Sequence, residues 1–379
     1  MSRALEAAEL IDQRADERLD TTRLAPYLRE RLPGADAPLA VRQFAGGKAN
    51  LTYLLRFTPT LPSPASGGGV GRGRSGEERE FVLRRPPLGP VAPGAHDMRR
   101  EHRVLSVLHR RFPLAPPSLL LCEDESVVGA VFHILERRHG FAIWEDMPPE
   151  LAGRPALNRR IGLGLVDALA DLHRVVPAEI GLGDLGRPEG FLERQLSGWT
   201  RRWHAALAMP EQQPASDGMA PVLQWLGERL PQPRAASLVH NDYRLDNVLL
   251  DTADPGRVVA VLDWDMCTQG DPLGDLGYLL NYWVEPSDPP EWREIAAMPT
   301  WRPGFPSRAE AIARYAERTG FEIAEIRWYE VFAAFKLAVI IQQIYIRWRR
   351  GQTQDERFRD YGERVAGLVA KARLLAGIA

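Results

Sequence analysis

The chain has 379 residues, of which 45% are hydrophobic and 26% charged, and its formal net charge is −2. That is the composition of a folded globular protein long enough for two domains. It lacks the basic excess expected of a nucleic-acid binder. Two cysteines, Cys122 and Cys267, have no metal-ligand or CxxC spacing, so a disulfide framework and a zinc site are not expected and a reducing cytoplasm is.

The N-terminal stretch MSRALEAAELIDQRADERLD has no apolar core of signal-peptide type. The most apolar late run, Leu337 to Ile346, is short for a bilayer and contains Gln342 and Gln343. A soluble protein without membrane or nucleic-acid partners is the expectation. The first thirty-odd residues read as helical, with Asp20 or Thr21 capping a helix over Arg23 to Arg31. In VRQFAGGKANLTYLLRF, two β-prone runs flank Gly46-Gly47 and predict a hairpin. LPSPASGGGVGRGRSGEERE, rich in Gly, Ser, Pro and Arg, reads as a disordered insertion over about 61–79. Its glycines at 69, 71 and 73 have no strand before them and no helix after them, so a dinucleotide site is not indicated.

EFVLRRPP predicts a strand stopped by prolines. A helix over His96 to Arg110 follows, carrying Met98, Val104, Leu105 and Leu108 at near-helical spacing. Strands are expected near Leu119 to Cys122 and Ala130 to Glu136, then helices over Leu157 to Arg174, Glu189 to Leu207 and Met219 to Leu230. The stretch SLVHNDYRLDNVLLD with RVVAVLDWD reads as a β-ribbon, and helices run on to the end. The plan is an α+β chain in two parts, a small β-rich N-terminal part over 1–138 and a large, mainly helical part over 139–379.

HNDYRLDN has the H-x-D-x-x-x-x-N spacing of a kinase-type catalytic loop. A carboxylate at Asp242 can take the proton of an attacking hydroxyl, and the amide oxygen of Asn247 can coordinate a metal from the same loop. Asp263, at the end of the next strand, offers a second hard oxygen ligand of the kind that Mg²⁺ and phosphoryl transfer require. The turn reading of Asp263 and Asp265 is the plain alternative. Gly46 and Gly47 would let backbone N–H groups approach phosphates, although an ordinary hairpin turn explains them as well. Alternation along VLRR puts Arg84 and Arg85 on opposite faces; Arg84 is taken as the site residue, with Glu101 as its ion-pair partner, against the plain reading of a solvated glutamate.

FAGGKANLTYLL, VLRRPP, HNDYRLDN and VLDWDMCTQGDPLGDLGYLL together resemble the aminoglycoside phosphotransferase-like branch of the protein-kinase fold, from about Val41 to beyond residue 340. Within it, the chain is most similar to the phosphotransferase module associated with acyl-CoA dehydrogenases and its stand-alone bacterial relatives. The resemblance implies a bilobal kinase-like fold, ATP and Mg²⁺ as cofactors, Asp242 as catalytic base, and Asn247 and Asp263 as metal ligands. It implies Arg84 and Glu101 as the phosphate-positioning pair. Nucleotide contacts are implied at Gly46, Gly47 and Asn50, and along the main chain at Glu136 to Arg138. Asp275 would hold the catalytic-loop backbone from a helix N-terminus. Two positions depart from the pattern: Asn241 stands where glycine is usual, a residue that tolerates positive φ, and Arg84 stands where lysine is usual. Trp264 and Asp265 replace Phe-Gly, so activation-loop control is not expected.

The expected acceptor walls are basic and apolar. ERQLSGWTRRWHAAL carries Arg194, Arg201, Arg202 and His204 against Glu193, and FKLAVIIQQIYIRWRR adds Lys336, Arg347, Arg349 and Arg350. Such walls suit an anionic, partly apolar alcohol better than a polyamine, unless they are solvated helix faces. With the resemblance, this points to a hydroxyacyl-CoA acceptor and to an acyl-CoA dehydrogenase in the same pathway. The alternatives are an antibiotic kinase and a non-catalytic nucleotide- or acyl-CoA-binding scaffold.

Overall fold

The structure, a computed structural model, describes residues 10–45, 50–58, 78–87, 96–211, 218–232, 236–296, 298–353 and 355–378. Contacts divide the chain into two compact units. One is Met1–Phe141 with Val259–Asp265; the other is Ala142–Val258 with Met266–Ala379.

The first unit is built on an antiparallel sheet. Its strands are Leu10–Ile11 (β1), Leu39–Phe44 (β2), Leu51–Phe57 (β3), Arg79–Arg85 (β4), Ser118–Cys122 (β5) and Phe132–Glu136 (β6), in the order β1-β2-β3-β4-β6-β5. β2 and β3 form the antiparallel pair expected from the sequence, with Val41 opposite Leu55; Gly46 and Gly47, between them, lie outside the described residues. Leu19, Leu24, Leu28, Tyr53, Leu55, Phe57, Phe81, Leu83, Phe132 and Ile134 fill the core on one face of this sheet. Helix α1, Thr21–Arg29, begins where Asp20 accepts from the Thr22 N–H at 3.0 Å. Helix α2, Met98–Leu108, begins at Asp97, which caps the Arg99 and Arg100 N–H groups.

Three expectations are corrected in this unit. The N-terminal residues are not all helical: Leu10 and Ile11 pair as an edge strand with Phe44 and Gln43. The insertion over 61–79 lies outside the described residues except at its end, where Arg79 already belongs to β4, opposite Phe57. The boundary drawn at 138/139 moves to 141/142, and the N-terminal unit takes back Val259–Asp265. Two contacts account for that return. The Val261 N–H donates to the Leu114 carbonyl at 2.8 Å. Trp264, fully buried, stands edge-on to Phe112 with ring centroids 5.9 Å apart.

The second unit is mainly helical. Its long helices are α3 (Pro155–His173), α4 (Phe191–Leu207), α5 (Ala220–Glu228), α6 (Leu273–Tyr282), α7 (Arg308–Thr319), α8 (Ile326–Arg349) and α9 (Tyr361–Ala376). The ribbon expected around residue 240 is more divided than the sequence suggests. Ser237–Val239 (β7) pairs antiparallel with Thr268–Gly270, a strand not anticipated, with Val239 opposite Thr268. Val248–Leu250 (β8) runs on into the turn that the ribbon reading expects, closed by the Asp251 N–H on the Arg257 carbonyl at 2.9 Å. The HNDYRLDN stretch is thereby held between two short, wholly buried strands.

Helix α8 is longer than the run Leu337 to Ile346 suggests. By length and composition its 24 residues could cross a membrane, but 78% of its apolar window is buried inside the protein, where it packs on α6 and α9.

Candidate active site

The loop 240–247 answers a folding problem: four polar side chains must sit between buried strands without orphaning the backbone. Alternate residues solve half of it. Tyr243 and Leu245 are fully buried and anchor the loop inward, and the Tyr243 hydroxyl donates to the Leu165 carbonyl at 2.7 Å. Asp275 solves the other half from the first turn of α6, as the resemblance implies. Its carboxylate accepts from the His240 N–H at 2.6 Å and the Asn241 N–H at 2.7 Å. It also accepts from His173 Nε2 at 3.2 Å, while Tyr315 donates to His173 Nδ1 at 2.6 Å. Burial would raise the Asp275 pKa, but the His173 hydrogen bond and the charges and N–H groups around it hold the pKa below its usual value. His173 is therefore a positioning residue, fully buried within its helix.

Asn241 has φ 66°, the left-handed conformation that glycine takes at no cost and asparagine tolerates. Its amide donates to the Met266 carbonyl at 3.0 Å, which helps to hold the turn. The turn presents Asp242, whose carboxylate is held from both sides. The Tyr278 hydroxyl donates to Oδ1 at 3.1 Å, and the Asn247 amide donates to Oδ2 at 3.0 Å. Arg244 adds an ion pair at 3.5 Å and another to Asp246 at 3.1 Å. The Asn247 amide nitrogen also donates to the Asp242 main-chain carbonyl at 2.8 Å. With its nitrogen occupied twice, the side chain keeps its oxygen as the end available to a hard cation.

In the other unit, Arg84 is the centre. Its guanidinium meets Asp263 Oδ1 at 2.7 Å and Glu101 Oε1 at 3.3 Å. Glu101 is 1% exposed and has His133 Nε2 at 3.3 Å on its other oxygen. Burial by itself would raise the Glu101 pKa; the charges of Arg84 and then His133 outweigh it and bring it to about 2. Arg84, despite its burial, is held protonated by Glu101 and Asp263. Arg85 lies on the opposite face, donating to the carbonyls of Val128 at 2.7 Å and Glu17 at 2.8 Å, and so is spent on the core. Asp263 has φ 69°, a conformation that costs a non-glycine residue energy and concentrates at functional sites. Asn50 is buried, bonded to His96 at 2.9 Å and to Asp265 at 3.4 Å. Glu136 and Arg138 pair with each other at 3.1 Å at the end of β6, and the Glu136 N–H is taken by the Pro117 carbonyl at 2.9 Å.

The predicted residues thus fall into two groups: Asp242 with Asn247, and Arg84 with Glu101 and Asp263. Each group, taken by itself, contains an oxygen of the type that Mg²⁺ accepts, at Asn247 in one and at Asp263 in the other. An amide oxygen and a carboxylate are hard ligands, and Mg²⁺ commonly uses one or two carboxylates and completes its shell with phosphates and water. Among the described residues, no group of three or more His, Cys, Asp or Glu is assembled to hold a metal alone. Sequence reasoning missed Tyr278 and His133 and placed Lys336 only in a basic wall. Tyr278 stands one turn beyond Asp275 in α6, so its place beside the loop follows from helical spacing. Lys336 is a charge inside an otherwise apolar run, VFAAFKLAVII, and is buried. Arg201, Arg202 and His204, by contrast, are exposed.

Comparison with known proteins shows the family and the fold. The profile of the phosphotransferase enzyme family matches residues 40–329. Acyl-CoA dehydrogenase family member 11 of Gallus gallus is 30% identical over 94% of this chain and 44% of its own length. The Homo sapiens protein of the same name is 31% identical, over 92% of this chain and 42% of its own. The chain therefore spans less than half the length of these curated relatives. A solved structure from Ralstonia eutropha, described as a candidate aminoglycoside phosphotransferase, is 31% identical and superposes with a TM-score of 0.75 over 95% of this chain and 99% of its own. An ethanolamine kinase of Plasmodium vivax, 13% identical, shares the fold at a TM-score of 0.55 over 89% of this chain and 83% of its own. With a small β-rich unit, a large helical unit and the loop HNDYRLDN pinned by Asp275, the chain belongs to the phosphotransferase enzyme family and has a kinase-like α+β fold.

Proposed function

We propose that the protein is an ATP- and Mg²⁺-dependent kinase that phosphorylates the hydroxyl group of a small, partly apolar acceptor, with a hydroxyacyl-CoA as the leading acceptor. The observation that carries this reading is the setting of Asp242, a carboxylate fixed by Tyr278 and Asn247 on a loop whose backbone Asp275 holds. In it, Asp242 accepts the acceptor's proton as the hydroxyl oxygen attacks phosphorus. Asn247 and Asp263 would each offer an oxygen to Mg²⁺, which would supply positive charge against the phosphates. Arg84, aimed by Glu101, binds phosphate oxygens. Gly46, Gly47, Asn50 and the main chain around Glu136 and Arg138 complete the nucleotide contacts. Phosphoryl transfer of this kind is mostly positioning and charge stabilisation, so no covalent enzyme intermediate is needed.

Nucleotide use is supported by fold neighbours solved with AMP-PNP, with ADP and with GDP. The hydroxyacyl-CoA acceptor is supported by the names of the relatives, which place them in the acyl-CoA dehydrogenase family, and by the basic and apolar character of α4 and α8. An acyl-CoA dehydrogenase acting on the same acyl chain is then the expected partner. The test is a coupled ADP-release assay with Mg-ATP and a panel of hydroxyacyl-CoAs, hygromycin B and ethanolamine. The expected result is ADP release that depends on the hydroxyacyl-CoA, with the phosphate recovered on the acyl chain. Turnover with hygromycin B alone would make the protein an antibiotic kinase. Nucleotide binding without turnover on any acceptor would make it a scaffold.

A further inference from the structure

Lys336 lies midway along α8, a helix whose residues from Val331 to Val339 are all buried, and burying an ammonium there is costly unless it is compensated. Three contacts compensate it. Its Nζ donates to the Asn241 carbonyl at 3.2 Å, stands 4.8 Å from the centre of the Tyr278 ring and 5.7 Å from that of Trp199. An ammonium has three donors. One is used on Asn241; the two aromatic faces attract the charge without accepting a conventional hydrogen bond. Burial lowers the Lys336 pKa, and the charges of Asp242 and Asp275 offset this only in part.

The space that Lys336 borders is a solvent-open depression, lined mainly by Phe191, Leu192, Tyr278, Tyr329, Phe332 and Ala333. The pocket also touches Asn241, the residue before the proposed base, and the Tyr278 hydroxyl is bonded to Asp242. Its other acidic neighbour, Asp275, is already occupied by two N–H groups and a histidine. Arg202 lies over the Trp199 ring at 4.4 Å, so a second positive charge flanks the same indole. The pocket is therefore mainly apolar, with Gln195 and Asp275 in its wall and one buried cationic donor next to the catalytic loop.

We propose that Lys336 selects the acceptor: its ammonium donates to a carbonyl or carboxylate oxygen on the substrate, close along the chain to the hydroxyl that Asp242 deprotonates, and its charge turns away cationic alcohols. This rests on the hydroxyl-kinase reading given above. The matching substrate class is an alcohol with an apolar chain and a nearby acyl oxygen. Amino sugars, choline and ethanolamine are disfavoured because an ammonium would face an ammonium at low dielectric.

The test measures kcat/KM for hydroxyacyl-CoAs, the corresponding free hydroxy acids, plain alcohols of equal chain length, choline and ethanolamine. Wild type is compared with Lys336→Met, which keeps the length and removes the charge. The readout is the ratio of carbonyl-bearing to plain alcohol for each enzyme, which a merely structural role would leave in place. The expected result is a wild-type preference for the carbonyl-bearing acceptor that falls by about ten- to a hundred-fold in Lys336→Met, as loss of a charge-assisted hydrogen bond requires. If Lys336→Met fails to fold, Lys336→Gln reads the same ratio. A ratio unchanged by the substitution overturns the role of Lys336 and leaves the kinase reading standing. A wild-type enzyme that binds ATP but phosphorylates none of these alcohols overturns the kinase reading, and the role of Lys336 with it.

Discussion

Replacing Asp242 by Ala is expected to lower kcat by about 10²–10⁴, the usual contribution of a positioned general base, while the affinity for nucleotide stays close to that of wild type. The structure separates the two effects. The Asp242 carboxylate receives hydrogen bonds from Tyr278 and Asn247, but the loop does not depend on them. Asp275 holds the backbone at His240 and Asn241, and Tyr243 and Leu245 are buried beneath it. Asn247 also keeps its bond to the main-chain carbonyl of residue 242, so its oxygen stays in place. Steady-state kinetics together with calorimetric titration of an ATP analogue check both halves. Turnover within about ten-fold of wild type, short of a general-base contribution, would place the base elsewhere.

Replacing Glu101 by Ala is expected to destabilise the N-terminal unit by about 3–5 kcal/mol, the cost of removing one partner from a buried ion pair. Glu101 is 1% exposed, and the Arg84 side chain is 11% exposed. Without Glu101, Arg84 keeps its ion pair with Asp263, and His133 loses its carboxylate. A pH dependence accompanies this. The folded pKa of about 2 lies below the ordinary 4.5, so the unfolded chain binds the proton first as pH falls. The stabilisation is complete above pH 4.5 and is lost as pH falls toward 2. Urea melts of wild type and Glu101→Gln across that range check it, the variant showing a shallower acid slope. A loss below about 1 kcal/mol for Glu101→Ala, the worth of a surface pair, would mean that the pair contributes little to holding Arg84.

What could be read from the sequence is mostly local. Asp242 and Asn247 lie in one loop, and their spacing is visible without a fold. The strand alternation that separates Arg84 from Arg85 was visible too, and Arg85 is indeed turned to the core, on Val128 and Glu17. Glu101 could have been placed with more certainty. Met98, Glu101, Val104, Leu105 and Leu108 form one buried stripe of α2, so a solvated glutamate was excluded by its own helix. The features that were missed are non-local or very short. β1 has two residues, and β7 and its partner have three each, too few to show a period. The return of Val259–Asp265 to the first unit depends on contacts to Phe112 and Leu114, which no local pattern encodes. The Lys336 bond to Asn241 joins residues 95 positions apart; the sequence shows only an unexplained lysine in an apolar run.

The most direct test of the account is the Mg²⁺ dependence of nucleotide binding, measured by calorimetric titration of AMP-PNP into wild type, Asn247→Ala and Asp263→Ala at increasing Mg²⁺. The account predicts that Mg²⁺ tightens binding to wild type and that either substitution removes most of that gain, with both variants still folded. The same Mg²⁺ dependence in all three proteins would contradict it.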